Sequence, residues 1–499
     1  LSILLLALAL PFFAQVNGDL QYIGDKAILH VWGTHYDRGY AQGYLLAGPI
    51  LAVFNDFYYV MFSFSNPAHY AYLGDYYQQH FYNDANISVE AEGIIAGIQA
   101  SGTSLYHAGL QRDLTAADIL QANAFLDMLQ VRNRIGDNGL RMGCASLSSW
   151  GSSTEQDSLL AGSSVITRWL DWTEIDVLID NPLLIVHHPS EPDEQEWLTV
   201  TVPGWLGAPS SISVEGTWAS LNMGNDHSVT DPNNLDPILY DVRRGQERID
   251  YNADGEANAL DVSAAVQGGH HLNGTIIHVL SEEGQDIIPV VVETNNSGTA
   301  LRYYDHPESG LPGHNLAATN HFRALTFPSC CSRYANIIDS LNANPNITAK
   351  RQWNLLAGAA GQETTLAALQ YVPSTGTLIW SGATSDLPAY MNPGLTLSVQ
   401  NLFDFSTPAD DPVYNIPVPA LDVYPNPLFG VADLSLKGGF AFDTMSVYNL
   451  RGQKVYSSRM PSARTEVSIA LPELNPGLYL VRVSNQDGRS TVRKLVIGF

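Results

Sequence analysis

Cysteine is nearly absent: three in 499 residues, too few for a disulfide framework. Basic residues are scarce as well. Lys and Arg total 24 against 50 Asp and Glu, a formal net charge of −26. Such a surface repels phosphate backbones, so nucleic-acid binding is not expected. Charged residues of all kinds make up only 15%, while apolar ones reach 45%. That composition excludes global disorder and supplies a large core, in a chain long enough for two to four domains. Gly (41) and Pro (27) are too few for a collagen-like or low-complexity chain. Long hydrophobic runs are missing except at the start. Leu1–Ala14 is uncharged and apolar, 14 residues long, short of the roughly 20 a membrane span needs. It suits the core of a secretory signal peptide over residues 1–18. No transmembrane segment is expected in the mature chain.

Composition shifts toward the end. Residues 421–499 carry +3, while residues 1–420 carry −29. The Pro/Asp-rich stretch 406–420 (STPADDPVYNIPVPA) lies between them and reads as a linker. Beyond it, short alternating runs (ADLSL, TMSVYNL, TEVSIAL, LYLVRVS) are separated by LRGQ, LNPG and NQDGR turns. That spacing predicts a small β-sandwich. LDVYPNP, MSVYNLRGQKVY, LNPGLYLVRV and the terminal VRKLVIGF, in this order, resemble the C-terminal sorting domain of the type IX secretion system. The resemblance implies engagement with that machinery and export through the periplasm and outer membrane to the medium or the cell surface.

Chemistry is sought in residues 19–405. Cys330 and Cys331, in TFPSCCSRY, read as buried thiols. Cys144 reads the same way on composition alone. It follows Gly143 and precedes the small polar run ASLSSWGSS, then a strand-like stretch over 158–172.

Three motifs alter that reading. GCASLSSWGSSTEQDSLLAG, ending in Arg168-Trp169-Leu170-Asp171-Trp172, resembles the nucleophile region of acyl-coenzyme A:6-aminopenicillanic acid acyltransferase and its relatives, which are autoproteolytic N-terminal-nucleophile (Ntn) hydrolases. GTHYDRGYAQGYLLAG (Gly33–Gly48) is similar to the family's opening motif, and AATNHFRA (Ala317–Ala324) to its Thr-Asn-His motif. Trp169 stands where the family has Asn, Ser213 stands where another family Asn is usual, and Gln362 falls near the Arg of penicillin-active members. The last departure argues against penicillin-type acyl transfer.

The resemblance implies an α+β fold, a four-layer αββα sandwich. The alternation in LLIVHH, WLTVTV, TIIHVL and IIPVVVET agrees with stacked sheets. AEGIIAGIQA and AADILQANAFLDML agree with covering helices. It also implies cleavage between Gly143 and Cys144, giving a 19–143 segment and a 144–405 segment that starts at the nucleophile. Cys144 would then carry both thiol and α-amine, whose reference pKa of about 7.7–8.0 suits a base near neutrality. Asn320 would donate its side-chain amide to an oxyanion, with His321 packed behind it. Asp171 would orient the new ammonium. Arg168 would pair with a substrate carboxylate or with Asp171.

Residues 250–261 (DYNADGEANALD) place oxygen side chains at loop positions 1, 3, 5, 9 and 12: Asp250, Asn252, Asp254, Asn258 and Asp261. Gly255 occupies position 6, and Glu256 offers its carbonyl at position 7. This resembles a dockerin or EF-hand loop and implies a structural calcium ion; no cofactor is needed for the chemistry. His187–His188 and His270–His271 lack a third ligand at a recognisable spacing, so zinc is not expected. The expected function is a secreted cysteine hydrolase or acyltransferase acting on a linear amide or acylated amine through a thioester at Cys144. The alternatives are a phospholipase B-like lipid hydrolase and a non-catalytic surface binding protein on the same scaffold.

Overall fold

The computed structural model describes residues 16–136, 142–172, 175–224, 232–326 and 331–405, and most of 421–497. The signal-peptide core, the 406–420 linker and Cys330 lie outside the described residues. The chain divides into two compact units, Leu1–Phe405 and Ser406–Phe499.

The first unit is built on two large sheets. Nine strands run in chain order across one: Gly18–Ile23, Lys26–Gly33, Leu183–Pro189, Trp197–Thr201, Ser210–Ser213, Trp218–Met223, Thr275–Glu283, Asp286–Asn295 and Gly298–Arg302. The second has six, in the spatial order Asn315–Ala318, Met142–Ser149, Val165–Trp172, Thr365–Val372, Thr377–Gly382 and Leu395–Ser398. Side chains alternate across a strand, so each sheet buries two faces. Ile28, Leu184, Val186 and Leu198 of the first sheet meet Ile166, Leu369, Leu378 and Trp380 of the second in one cluster between the sheets. The outer face of the second sheet (Ala145, Leu147, Trp169, Ala368) packs on helices Ser332–Ala343 and Ala349–Ala360. The outer face of the first (Leu29, Val31, Val279, Val290) packs on helices His35–Leu45, Ala85–Ala100, Ile238–Glu247 and Ala259–Gly268. The order is helix, sheet, sheet, helix: an αββα sandwich.

Two secondary-structure elements differ from the sequence expectations. The helix expected over 116–129 stops at Asn123. There the Asn123 side chain donates to Gly204 O (2.9 Å) and accepts from Leu206 N (2.6 Å), so it serves a neighbouring loop. The strand expected from 158 begins only at Val165, after a turn with positive φ at Ala161 and Gly162. Among the described residues no single helix is long and apolar enough to cross a membrane.

In the second unit Asp433–Asn449 and Lys454–Ala470 are long paired strands. The pairing slips near Phe442, so the first half of Asp433–Asn449 pairs with Leu421–Tyr424 and the second half with Gly477–Ser484. Leu434, Leu436, Met445, Val447, Val481 and Val483 fill its core.

Asp127 shows what burial does to a carboxyl here. Both its oxygens accept from Ile238 N (3.3 Å) at the head of helix Ile238–Glu247. Burial pushes its pKa up to about 7. An unfolded Asp titrates near 3.9, so between about pH 4 and 7 the folded state holds the extra proton, and stability falls as pH rises across that window. Asp127→Asn keeps an acceptor and should remove that slope. Urea midpoints at pH 5 and pH 8 should then lie closer together than in wild type.

Candidate functional site

The site sits where the six-stranded sheet loses a partner. Strand Asn315–Ala318 pairs with Met142–Ser149 only as far as Ser146. Beyond that point Cys144 N finds no strand there and donates instead to the Asn320 side chain, Oδ1 at 3.1 Å. On the other side the pairing continues, Cys144 opposite Leu170 and Gly143 opposite Asp171.

Alternation then sorts the groups onto two faces. Cys144, Ser146 and Arg168 point between the sheets. Arg168 is fully buried, with Nη1 on Ser210 Oγ (2.8 Å) and Nη2 on Leu221 O (2.8 Å), and Nη2 lies 3.8 Å from Cys144 Sγ. Burial raises the thiol pKa, and the Arg168 charge opposes that rise. Burial also lowers the pKa of Arg168 itself. Beneath Cys144, Ser146 Oγ contacts His278 Nδ1 (2.8 Å) and accepts from Asn222 Nδ2 (3.1 Å). Burial holds His278 near pKa 3, so it is neutral.

Gly143 and Asp171 lie on the opposite face. Asp171 accepts from Arg333 Nη1 (3.0 Å) and Thr365 Oγ1 (2.7 Å). Burial raises its pKa, against those two donors. A Cβ at Gly143 would lie 3.1 Å from Asp171 Oδ2 and 3.3 Å from Arg333 Nη1. Gly143, Asp171, Arg333, Gln362, Glu363 and Thr364 line an open cavity of about 590 Å³.

The structure thus brings Gly143, Cys144, Asp171 and Asn320 together around one peptide bond. It does not pair Arg168 with Asp171. Residues three apart on a strand face opposite ways, and Asp171 takes Arg333 instead. The Asn320 amide is turned so that its oxygen faces Cys144 N and Arg333, while Nδ2 donates to Met223 O at 2.7 Å. His321 follows it, with its pKa lowered by burial.

Arg333 was missed in the sequence. It lies in TFPSCCSRY, a stretch that draws attention for its cysteines. Helix Ser332–Ala343 begins directly after Cys331, whose side chain makes no capping bond, and this places Arg333 in the first turn, reaching both Asp171 and Asn320. Gln362 lines the same open cavity as Arg333.

The GTHYDRGYAQG stretch does other work. Thr34 caps helix His35–Leu45 in a capping box with Asp37. Arg38 is buried against Glu191 (3.1 Å) and Glu194 (3.0 Å), and His35 bridges Glu90 (3.0 Å) and Glu194 (2.8 Å). His35, Glu191 and Glu194 have ligand atoms within 4.8 Å of one another. Arg38 and Arg243 already supply positive charge there, so the cluster reads as an ion-pair network. His187 stacks on Trp197 at 4.1 Å, and His188 bonds His30 at 3.1 Å.

Comparison with known proteins gives one domain assignment. Residues 422–498 match the secretion system C-terminal sorting domain family. Protein dcd1B of Dictyostelium discoideum is 23% identical over 230 residues, 44% of this chain and 44% of that protein, so the match spans under half of either length. Two solved structures are similar at low identity. A Caenorhabditis elegans N-acylethanolamine-hydrolyzing acid amidase ortholog has TM-score 0.35 and 15% identity, covering 51% of this chain and 100% of that chain. A mutant of the conjugated bile acid hydrolase from Clostridium perfringens has TM-score 0.30 and 10% identity, covering 51% of this chain and 93% of that chain. The C-terminal unit is therefore a sorting domain of the type IX secretion system, and the protein is secreted or displayed at the cell surface.

Proposed function

We propose that residues 19–405 form an autoproteolytic cysteine Ntn-hydrolase that cleaves a linear amide through a thioester at Cys144. The observation that carries this reading is the crowding of Asp171, Asn320, Arg168 and Arg333 around the single bond between Gly143 and Cys144. Self-cleavage begins when Cys144 Sγ attacks the Gly143 carbonyl carbon. The C–N bond breaks, the Cys144 nitrogen takes the thiol proton, and a thioester remains. Water then hydrolyses that thioester, leaving a carboxylate on Gly143, a free thiol and an α-amine on Cys144. In turnover the amine takes the thiol proton while sulfur attacks the substrate carbonyl, then passes it to the leaving amine. Water resolves the acyl-enzyme; a second amine doing so would give acyl transfer. Asn320 Oδ1 holds the Cys144 nitrogen in place. The charges of Arg168 and Arg333 favour the thiolate, against the burial that raises the thiol pKa. The test is turnover of N-acyl anilides together with iodoacetamide labelling of the matured protein. No turnover and no label on Cys144 would favour a binding protein.

A structural calcium ion in 250–261 is part of the same proposal. The donor chemistry fits a hard cation: residues 250–258 lie between helices Ile238–Glu247 and Ala259–Gly268, with Gly255 at φ +94° making the turn, and Asp261 stands in the first turn of the second helix. Its carboxylates accept from loop amides: Asp250 from Asp254 N (3.0 Å) and Gly255 N (2.9 Å), Asp261 from Asn252 N (3.1 Å) and Asn258 N (2.8 Å). Asn252, Asp254, Asn258 and the Glu256 carbonyl complete the set. Calcium bound only by the folded state adds stability as RT ln(1 + [L]/Kd), about 2.7 kcal/mol at a hundredfold excess over Kd. Chelation should therefore lower Tm by a few degrees, and Asp254→Ala should abolish the shift. An unchanged Tm would argue against the site.

A further inference from the structure

Asn320 stands on a segment with no regular structure of its own. Residues 319–326 follow strand Asn315–Ala318 and belong to no helix or strand. Ladder hydrogen bonds therefore do not fix the side chain that holds the Cys144 nitrogen. A carboxylate from the other sheet does. Side chains alternate along strand Asp286–Asn295: Val290 and Val292 face the covering helices, while Val291 faces a cluster with Leu316, Ala318 and Phe322. Glu293 shares the face of Val291 and is fully buried. Its Oε2 accepts from three successive amides, Arg323 N (2.8 Å), Ala324 N (2.7 Å) and Leu325 N (3.0 Å). Successive N–H groups converging on one point make an anion-binding nest, and here the anion belongs to the protein. The other oxygen, Oε1, accepts from Arg302 Nε (3.0 Å) on the adjoining strand. Arg302, also buried, donates from Nη2 to Ala317 O (2.8 Å) and from Nη1 to Ser309 Oγ (3.3 Å). The pair thus grips the chain on both sides of the site, because Asn320 lies three residues after Ala317 and three before Arg323. The grip extends to the helix that carries Arg333. Ser309 O accepts from Tyr334 Oη (2.7 Å), and the Arg323 guanidinium lies 4.0 Å from the centre of the Tyr334 ring.

We infer that Glu293 is a positioning residue for the cleavage site: with Arg302 it fixes the segment that presents Asn320 Oδ1 to the Cys144 nitrogen. Its effect on turnover rests on the Ntn-hydrolase reading; its effect on the Cys144 amide does not. Glu293 takes no part in bond making and acts through the loop alone. Glutamine at 293 is a poor replacement. It has one acceptor oxygen where two are used, and its NH2 must face either the three amides or the Arg302 guanidinium.

The first measurement needs no turnover. In the uncleaved Cys144→Ala protein, the amide of residue 144 is held by Asn320 Oδ1, and hydrogen exchange read by fragmentation mass spectrometry reports how firmly. Adding Glu293→Gln should speed exchange at residue 144 by about tenfold or more, while amides in the middle of strand Val165–Trp172 keep their rates. Val292→Ala is the control, since it loses packing on the opposite face of the same strand without touching the loop. It should lower the urea midpoint and leave exchange at residue 144 unchanged. The second measurement uses matured enzyme and acyl anilides. Glu293→Gln should lower kcat by about 10- to 100-fold with KM nearly constant, the scale of a misplacement of about 1 Å. Val292→Ala, per folded molecule, should not. In the Asn320→Ala background Glu293→Gln should cost almost nothing more, as expected of two groups that act through one. Unchanged exchange at residue 144 in Glu293→Gln, or losses that multiply in the double variant, would overturn the inference. Faster exchange at residue 144 with no turnover by wild type would keep Glu293 as the holder of Asn320 and sink the hydrolase reading instead.

Discussion

Denatured wild-type protein is expected to run as two chains, cut between Gly143 and Cys144, and Cys144→Ala as one. The geometry argues for that bond and no other. Gly143 is where a side chain would press on Asp171 and Arg333, at 3.1 and 3.3 Å. The sheet partner on one side has ended by Ser146, so the nitrogen of the bond is held by a side chain, Asn320, which can follow it as it becomes an amine. The attacking sulfur lies on the inter-sheet face beside Arg168, 3.8 Å from its guanidinium. Removing a nucleophile in such a site leaves only what positioning and polarisation supply, so turnover of acyl anilides should drop by about 10⁴-fold or more. Intact-mass measurement checks the cleavage, and single-turnover assays check the chemistry. Wild type that stays whole, with a thiol inert to iodoacetamide, would remove the basis for an Ntn mechanism.

Much of this architecture was readable in the residues. Short apolar-rich runs such as TIIHVL and WLTVTV mark strands buried on both sides, and a sheet pair follows from having several of them. The positions of Cys144, Asp171 and Asn320 came from motifs, and the fold gathers them around one bond. What the sequence could not show was facing. Arg168 and Asp171 are close in the chain yet lie on opposite sides of a sheet, so a pairing that proximity suggested is absent. Arg333 was hidden for a different reason: its role depends on a helix beginning at Ser332 and aiming its first turn at a strand end, which no local pattern encodes. Asn123 shows the reverse case, a periodic run cut short because one side chain serves a distant loop.

The glycines of the opening motif should be as unforgiving as the cysteine, for reasons of packing. Helices His35–Leu45 and Ala85–Ala100 cross backbone to backbone. A Cβ on Gly39 would lie 2.0 Å from Glu90 O, and on Gly43 2.1 Å from Ile94 O. The facing helix answers in kind: Gly93 would meet Tyr36 O at 2.4 Å and Gly97 Tyr40 O at 2.2 Å. Backbone cannot rotate aside as a side chain can, so even Gly39→Ala must push the helices apart. Ordinary overpacking costs about 1–3 kcal/mol. Here the displaced residue is Glu90, whose carboxylate accepts from His35 (3.0 Å) and Arg243 (2.6 Å) in the interior. Moving it strands buried charges, and breaking such a pair costs about 3–5 kcal/mol. Since domains are stable by only about 5–15 kcal/mol, Gly39→Ala should lose most of its denaturant resistance and Gly43→Val should fail to accumulate folded protein. Gly358→Ala supplies the contrast: it is an exposed helical glycine with nothing within 4 Å of its Cβ position, and the same substitution there should stabilise by about 0.5–1 kcal/mol. Urea unfolding of the two alanine variants side by side decides it, because equal midpoints would mean that the crossing is looser than the distances require.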